Sequence, residues 1–265
     1  MNEIQQFLTG RMWLREHTPF SRDDIDISTN QGNITPYPGI LSSVKTLFTF
    51  TYQTNSCRRC GNHQLTPFNC AKCEGPCLYC RNCIRMGRIS WCTELVTWTR
   101  PSLEIKQKVV FAWNGTLTPD QQRASDELIR SVKSNKSHLI HAVCGAGKTE
   151  LLFPVLAELL KEGKRVCIAT PRTDVVLELA PRFKKVFPKT EIHALYGGAP
   201  DQRGFAQVII ATTHQLYRFE DAFDVIFADE ADAFPYSIDK SLSFAVNKAK
   251  KSGTVIHYIT ATPSK

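Results

Sequence analysis

The run Gly145-Ala146-Gly147-Lys148-Thr149 constrains the fold of this chain more than any other feature. It follows an apolar, β-branched stretch, His138 to Val143, and precedes a helical pattern beginning near Glu150. A strand that feeds a glycine-rich turn and then a helix has the geometry of a phosphate-binding loop. Gly145, Ala146 and Gly147 let the backbone fold tightly and aim N–H groups at phosphate oxygens. The helix N-terminus adds the positive end of its dipole. In that geometry Lys148 reaches the β- and γ-phosphates of ATP as a point charge, and the Thr149 hydroxyl ligates Mg2+.

Such a loop needs a parallel sheet around it, and the sequence from Leu117 onward supplies one. Apolar runs at 138–143, 165–170, 191–196, 208–213, 224–228 and 254–259 alternate with helical stretches at 119–132, 150–162, 173–186 and 237–250. Near-continuous apolar strands separated by helices imply a sheet covered on both faces. The expected fold class is α/β: a single RecA-like lobe with a parallel β-sheet flanked by helices, preceded by a small Cys-rich zinc-binding domain. The expected division is an N-terminal appendage over 1–54, a zinc-binding module over 55–92, a connector over 93–116 and the ATP-binding lobe over 117–265. Within the appendage, Thr18, Ser21, Asp23 and Asp24 mark a helix start, and Leu47 to Tyr52 reads as a strand. Val109, Phe111 and Trp113 alternate ahead of Asn114-Gly115, which predicts a strand and turn in the connector.

The strand Val225 to Ala228 ends in Asp229-Glu230-Ala231-Asp232. A carboxylate at the C-terminal end of such a strand lies beside the phosphate loop. Asp229 is placed to hold the Mg2+ shell, and Glu230 to orient and deprotonate the attacking water. Lys148, Asp229 and Glu230 are therefore the expected catalytic residues.

Eight of the ten cysteines fall between Cys57 and Cys92. The start of the chain has no basic segment followed by an apolar one, so it does not read as a secretory signal, and the cluster is expected to bind metal in a reducing compartment. Cys57-x-x-Cys60 and Cys80-x-x-Cys83, separated by nineteen residues, match a four-cysteine zinc ribbon. Cys70, Cys73, Cys77 and Cys92 offer a candidate second zinc site, and spacing alone does not fix the partition, because knuckles can interleave. Arg58, Arg59, Lys72, Arg81, Arg85 and Arg88 accompany Tyr79 and Trp91 in this module, a mixture that suits single-stranded nucleic acid as well as a solvated basic surface. The formal net charge of +8 is compatible with a polyanionic partner. No apolar run approaches the roughly 20 residues that span a bilayer.

The ordered motifs resemble those of superfamily-2 helicases and translocases, and of their DEAD-type subgroup by the tetrad at 229–232. Leu117-Thr118-Pro119-Asp120-Gln121 resembles the Q motif, which implies that Gln121 bonds the adenine. Pro171 and Arg172, and Thr212 and Thr213, resemble motifs that contact the nucleic-acid backbone. Thr260-Ala261-Thr262 resembles motif III, which implies that Thr260 and Thr262 couple hydrolysis to nucleic acid. Ala142 stands where the phosphate-loop pattern has its first glycine, as in many superfamily-2 motors. Contacts of this kind carry no sequence information, so binding is expected to be salt-sensitive and sequence-independent.

Cys-Arg-Arg-Cys-Gly at 57–61, Tyr79-Cys80-Arg81 with Cys83, Met86-Gly87-Arg88, and the segments 142–150, 169–182, 196–198 and 232–237 resemble the ComFA family of competence ATPases in Gram-positive bacteria. The resemblance implies an ATP-driven motor on single-stranded DNA, working peripherally at the inner face of the cell membrane during transformation. It implies partners in the phosphoribosyltransferase-like ComFC and the membrane DNA channel. The family pattern carries four module cysteines, matching Cys57, Cys60, Cys80 and Cys83, so the other four here are a departure. Family members continue past motif III into a second lobe with an arginine finger. The 265 residues alone are therefore expected to be an N-terminal fragment that hydrolyses ATP very slowly, since such fingers are worth about 10³–10⁵ in rate. Alternative readings are a DEAD-type RNA helicase, and a zinc-dependent docking module on a nucleotide-binding lobe.

Overall fold

A computed structural model describes residues 2–47, 50–99, 108–141, 147–200, 202–230 and 239–260. The chain divides into two compact units, Met1–Ser102 with Tyr217–Phe219, and Leu103–Leu216 with Glu220–Lys265.

In the first unit α1 (Glu3–Leu8) is capped by Asn2, whose side chain accepts from the Ile4 N–H at 3.0 Å. After β1 (Trp13–Leu14), α2 (Arg22–Asn30) starts at the cap Ser21, which accepts from the Asp24 N–H at 3.1 Å. That start agrees with the expected one. Strand β2 (Ile34–Pro38) follows, then the hairpin β3 (Ile40–Leu47) and β4 (Phe50–Cys57), paired from Ile40↔Cys57 onward. A second hairpin, β5 (Leu65–Cys70) and β6 (Gly75–Cys80), pairs with the short β7 (Ile89–Ser90). Finally β8 (Glu94–Trp98) enters between β1 and β2 as the centre of an antiparallel sheet. Ile4, Phe7, Leu8, Ile25, Ile34 and Val96 form the core against that sheet.

In the second unit α3 (Pro119–Lys133) opens with a capping box: Thr118 accepts from the Gln121 N–H, and the Gln121 side chain accepts from the Thr118 N–H at 2.9 Å. The lobe continues through β9 (Leu139–His141), α4 (Lys148–Lys161), β10 (Val166–Thr170), α5 (Thr173–Val186), β11 (Ile192–Leu195), β12 (Val208–Thr212), β13 (Val225–Asp229), α6 (Lys240–Ala249) and β14 (Ile256–Thr260). The six strands pair in parallel in the order β11-β12-β10-β13-β14-β9. Strands β10 and β12 are buried along their whole length, as a sheet covered on both faces requires. The expected α/β class is thus the observed one.

One expected element does not form. Residues 108–118 contain no strand. The alternation at Val109, Phe111 and Trp113 serves packing instead: Phe111 stacks on Phe187 at 5.5 Å, Trp113 meets Phe153 edge-on at 5.6 Å, and Val109 packs against the lobe core. A single backbone bond, from the Ala112 N–H to the Val186 carbonyl at 2.8 Å, ties this segment to the end of α5. Val109 and Trp113 are only half-buried and Phe111 is 39% exposed, so side chains laid against the lobe at alternate positions mimic the period of a strand where no ladder follows.

Candidate functional site

Register places the expected motor residues along one sheet edge. Thr260 pairs with His141, Asp229 with Ile259, Ala169 with Ala228, and Thr170 with Thr212. The segments that follow β9, β14, β13, β10 and β12 therefore all leave from the carboxyl ends of the strands, where open parallel sheets bind ligands.

Gly147 is the N-cap of α4 and lies in the left-handed region at φ 71°. A Cβ there would run into Nε2 of Gln121 and approach Oε2 of Glu150 at 3.2 Å. Glycine at 147 thus leaves room for the Gln121 side chain against the start of α4. Lys148 and Thr149 form the first turn of α4, half-buried. Gly145 and Ala146 lie outside the described residues, as do Ala231, Asp232 and Thr262.

Asp229 ends β13, and its Oδ1 accepts from the Glu230 N–H at 3.1 Å. The same N–H lies 2.9 Å from the Ile259 carbonyl. Glu230 adopts φ 52°, a left-handed conformation that costs a non-glycine residue roughly 1–2 kcal/mol. The turn aims its carboxylate toward Arg172, whose Nη1 stands 3.8 Å away. Arg172 is exposed and also paired with Asp174, which holds the Asp174 carboxyl below its ordinary range. Pro171 beside it is half-buried.

Thr212 and Thr213 are buried, at 6% and 2% exposure, and the exposed side chain of that turn is His214. Thr260 is also buried. Sequence reasoning missed one ion pair. Glu150 in the first turn of α4 pairs with Arg182 of α5, which also reaches Glu178 at 3.2 Å. The signal was available, since both residues fall in the segments that carry the family resemblance.

The cysteines fall into two sets. Cys57, Cys60, Cys80 and Cys83 place their sulfurs within 4.8 Å of one another, and so do Cys70, Cys73, Cys77 and Cys92. In the first set Cys57 and Cys83 are 3.7 Å apart, and Cys60 and Cys80 are 3.5 Å apart. Disulfide sulfurs lie about 2.05 Å apart. Four thiolates at about 2.3 Å from one zinc lie roughly 3.8 Å from each other, so the donor set fits a tetrahedral ion. Hydrogen bonds among the thiols, that of Cys57 foremost, push Cys60 and Cys83 far above the usual thiol range and Cys80 far below it. Beside them Arg59 is 2% exposed and donates to the Met86 and Gly87 carbonyls at 2.9 and 3.1 Å. Burial lowers its pKa, and Cys83 and Cys57 oppose that shift. A buried guanidinium is the charge that a tetrathiolate site calls for.

Aromatic faces in and beside the module are largely taken by side chains of the first unit. Arg58 covers Tyr37 at 3.9 Å, Arg88 covers Phe68 at 4.7 Å, and Tyr79 meets Phe68 edge-on. Trp91, at 42% exposure, remains open to solvent. Among the described residues no helix is long and apolar enough to cross a membrane.

Residues 1–97 match the family described as Competence protein ComFA N-terminal domain, and residues 114–265 match Type III restriction enzyme, res subunit. The chain is 43% identical to Competence protein ComFA of Bacillus subtilis (strain 168) over 264 residues, covering 99% of this chain and 55% of that protein. It is 38% identical to Competence protein ComFA of Streptococcus pneumoniae over 184 residues, covering 69% of this chain and 42% of that protein. The chain thus spans about half the length of these relatives. A solved structure, the Sulfolobus solfataricus SWI2/SNF2 ATPase core in complex with dsDNA, is 18% identical, covers 59% of this chain and 35% of its own, and superposes with a TM-score of 0.47. With a ComFA N-terminal domain ahead of a superfamily-2 helicase-type lobe, the chain belongs to the ComFA family of competence proteins.

Proposed function

We propose that this chain supplies the ATP-binding lobe of a motor that moves along single-stranded DNA and helps draw transforming DNA into the cell. The observation that carries the reading is the shared sheet edge, where Gly147-Lys148-Thr149, Asp229-Glu230 and Arg172 all leave the strands. Lys148 binds the β- and γ-phosphates, and Gln121 selects the adenine. Glu230 takes the proton of the attacking water. The hydroxyl of Thr149 and the carboxylate of Asp229 are hard oxygen donors suited to Mg2+, which when bound neutralises charge on the phosphates. Arg172 grips DNA phosphate, with Pro171, Thr212 and Thr213 shaping the same edge, and Thr260 links that grip to the acidic turn. Cys57, Cys60, Cys80 and Cys83 hold a zinc that shapes the first unit. By family resemblance the motor works at the inner face of the membrane with ComFC and the DNA channel.

The test is ATP hydrolysis by this chain extended by the remaining portion of its ComFA relatives. Equal lengths of single-stranded DNA, duplex DNA and single-stranded RNA are compared at fixed salt. Stimulation by single-stranded DNA that disappears in Glu230→Gln supports the motor. Stimulation by RNA alone moves the protein to RNA remodelling. The affinity for DNA should fall steeply with salt and not with base sequence.

A further inference from the structure

We propose that Cys70, Cys73, Cys77 and Cys92 hold a second Zn2+, more exchangeable than the first, so that two metals clamp opposite ends of one hairpin. The donors are four thiols with sulfurs within 4.8 Å of one another, and Cys70 and Cys92 are 3.6 Å apart. That separation is again the edge of a zinc tetrahedron and far too long for a disulfide. The two sets share no cysteine, although they interleave along the chain.

Hairpin register explains the sorting. At its open end Leu65 pairs with Cys80, and at its turn Cys70 pairs with Gly75. Cys60 and Cys83 flank the open end, beside Cys80, and complete the first set with Cys57. Cys73 lies in the turn, and Cys77 faces Phe68 two pairs from the Cys70↔Gly75 pair that closes it. Cys92 arrives from beyond β7, which pairs alongside β6 through Tyr79↔Ser90 and Cys80↔Ile89. The two ends are five residue steps apart, roughly 17 Å. Between positions 57 and 90 the buried apolar residues are Cys57, Cys60, Cys70, Cys77, Cys80, Cys83 and Ile89. A region whose core is made of thiols depends on metal for its cohesion.

The two sets differ in access. All four cysteines of the first are at most 1% exposed. In the second, Cys73 is exposed and Cys92 half-buried. A cavity of about 370 Å³, lined by Cys70 and Cys92 with Glu16, Lys72, Arg88 and Glu94, opens beside them. Water and small chelators reach sulfur there and not at the first set.

The experiment is metal analysis of the full chain, followed by native mass spectrometry under rising EDTA with alkylation and peptide mapping at each step. The expected result is two zinc per chain, a one-zinc species on titration, and alkylation of Cys70, Cys73, Cys77 and Cys92 before Cys57, Cys60, Cys80 and Cys83. Cys167, wholly buried in the second unit, serves as the internal control for global unfolding. Cys92→Ser should lower the content to one zinc and remove the early step. A single zinc that survives Cys92→Ser overturns the site, and simultaneous alkylation of all eight overturns the difference in exchange. Should Cys92→Ser fail to fold, the titration of the unaltered chain decides both points.

Discussion

Nη1 of Arg172 stands 3.8 Å from Oε1 of Glu230, so the arginine read as a DNA-phosphate contact touches the carboxylate read as the base. A phosphate that draws Arg172 away would leave Glu230 free to face water. Arg172→Ala should therefore raise hydrolysis without DNA while abolishing its stimulation by DNA. The pair is half exposed, and such contacts are worth at most about 1 kcal/mol, so the rise is at most about fivefold. Steady-state ATPase rates with and without single-stranded DNA measure both effects. An unchanged stimulation ratio would sink the coupling.

Gly147 and Gln121 share one space. Gly147→Ala should push the glutamine side chain out of place and add about 1–2 kcal/mol of backbone strain at φ 71°. Gln121→Ala should leave the fold intact but cut the preference for ATP over GTP by about tenfold, one hydrogen bond's worth. Competition binding with the two nucleotides compares the variants, and Gly147→Ala should reproduce the loss of preference.

In the first unit Gly87 has φ 94°, and a Cβ there would collide with Cδ1 of the buried Leu14. Its carbonyl also accepts from Arg59 at 3.1 Å. Gly87→Ala should destabilise this unit by about 1–3 kcal/mol through overpacking. Chemical unfolding followed at the tryptophans of this unit, Trp13, Trp91 and Trp98, provides the measurement. A shift under about 0.5 kcal/mol would show that Leu14 yields.

His257 on β14 is 1% exposed, and burial lowers its pKa to about 4 from 6.5. In this interval the unfolded chain binds a proton that the folded lobe excludes. The stability linked to His257 is therefore complete above about pH 6.5 and declines as pH falls toward 4, by about 3 kcal/mol. Among the described residues its Nδ1 has no hydrogen-bond partner. His257→Phe should flatten that part of the pH–stability curve, as thermal melts between about pH 7 and 4 would register.

The α/β lobe was legible because its strands are apolar throughout and its helices carry their own punctuation. Thr118 and Pro119 announce α3, and α5 spans the predicted 173–186. The first unit was harder to read. Thr35-Pro36-Tyr37-Pro38 looks like a loop, yet it forms β2 because the prolines sit on an edge strand beside β8. The grouping of the eight cysteines is the one their spacing suggested, Cys57, Cys60, Cys80 and Cys83 apart from Cys70, Cys73, Cys77 and Cys92, and hairpin pairings such as Phe68↔Cys77 give its physical reason. Burial of Thr212 and Thr213 was out of reach, since a motif names a residue and not its exposure.

Among the described residues strand β9, which precedes the Gly145-to-Thr149 run, is the outermost strand of the sheet and pairs with β14 alone, through Leu139, Ile140 and His141. The last of those pairs is Thr260↔His141. Among the described residues β9 is the strand of this sheet held by the fewest pairs, so Lys148 and Thr149 follow a strand with little to hold it in register. In the proposed motor, stiffening that three-residue ribbon should slow turnover before it alters the affinity for ATP.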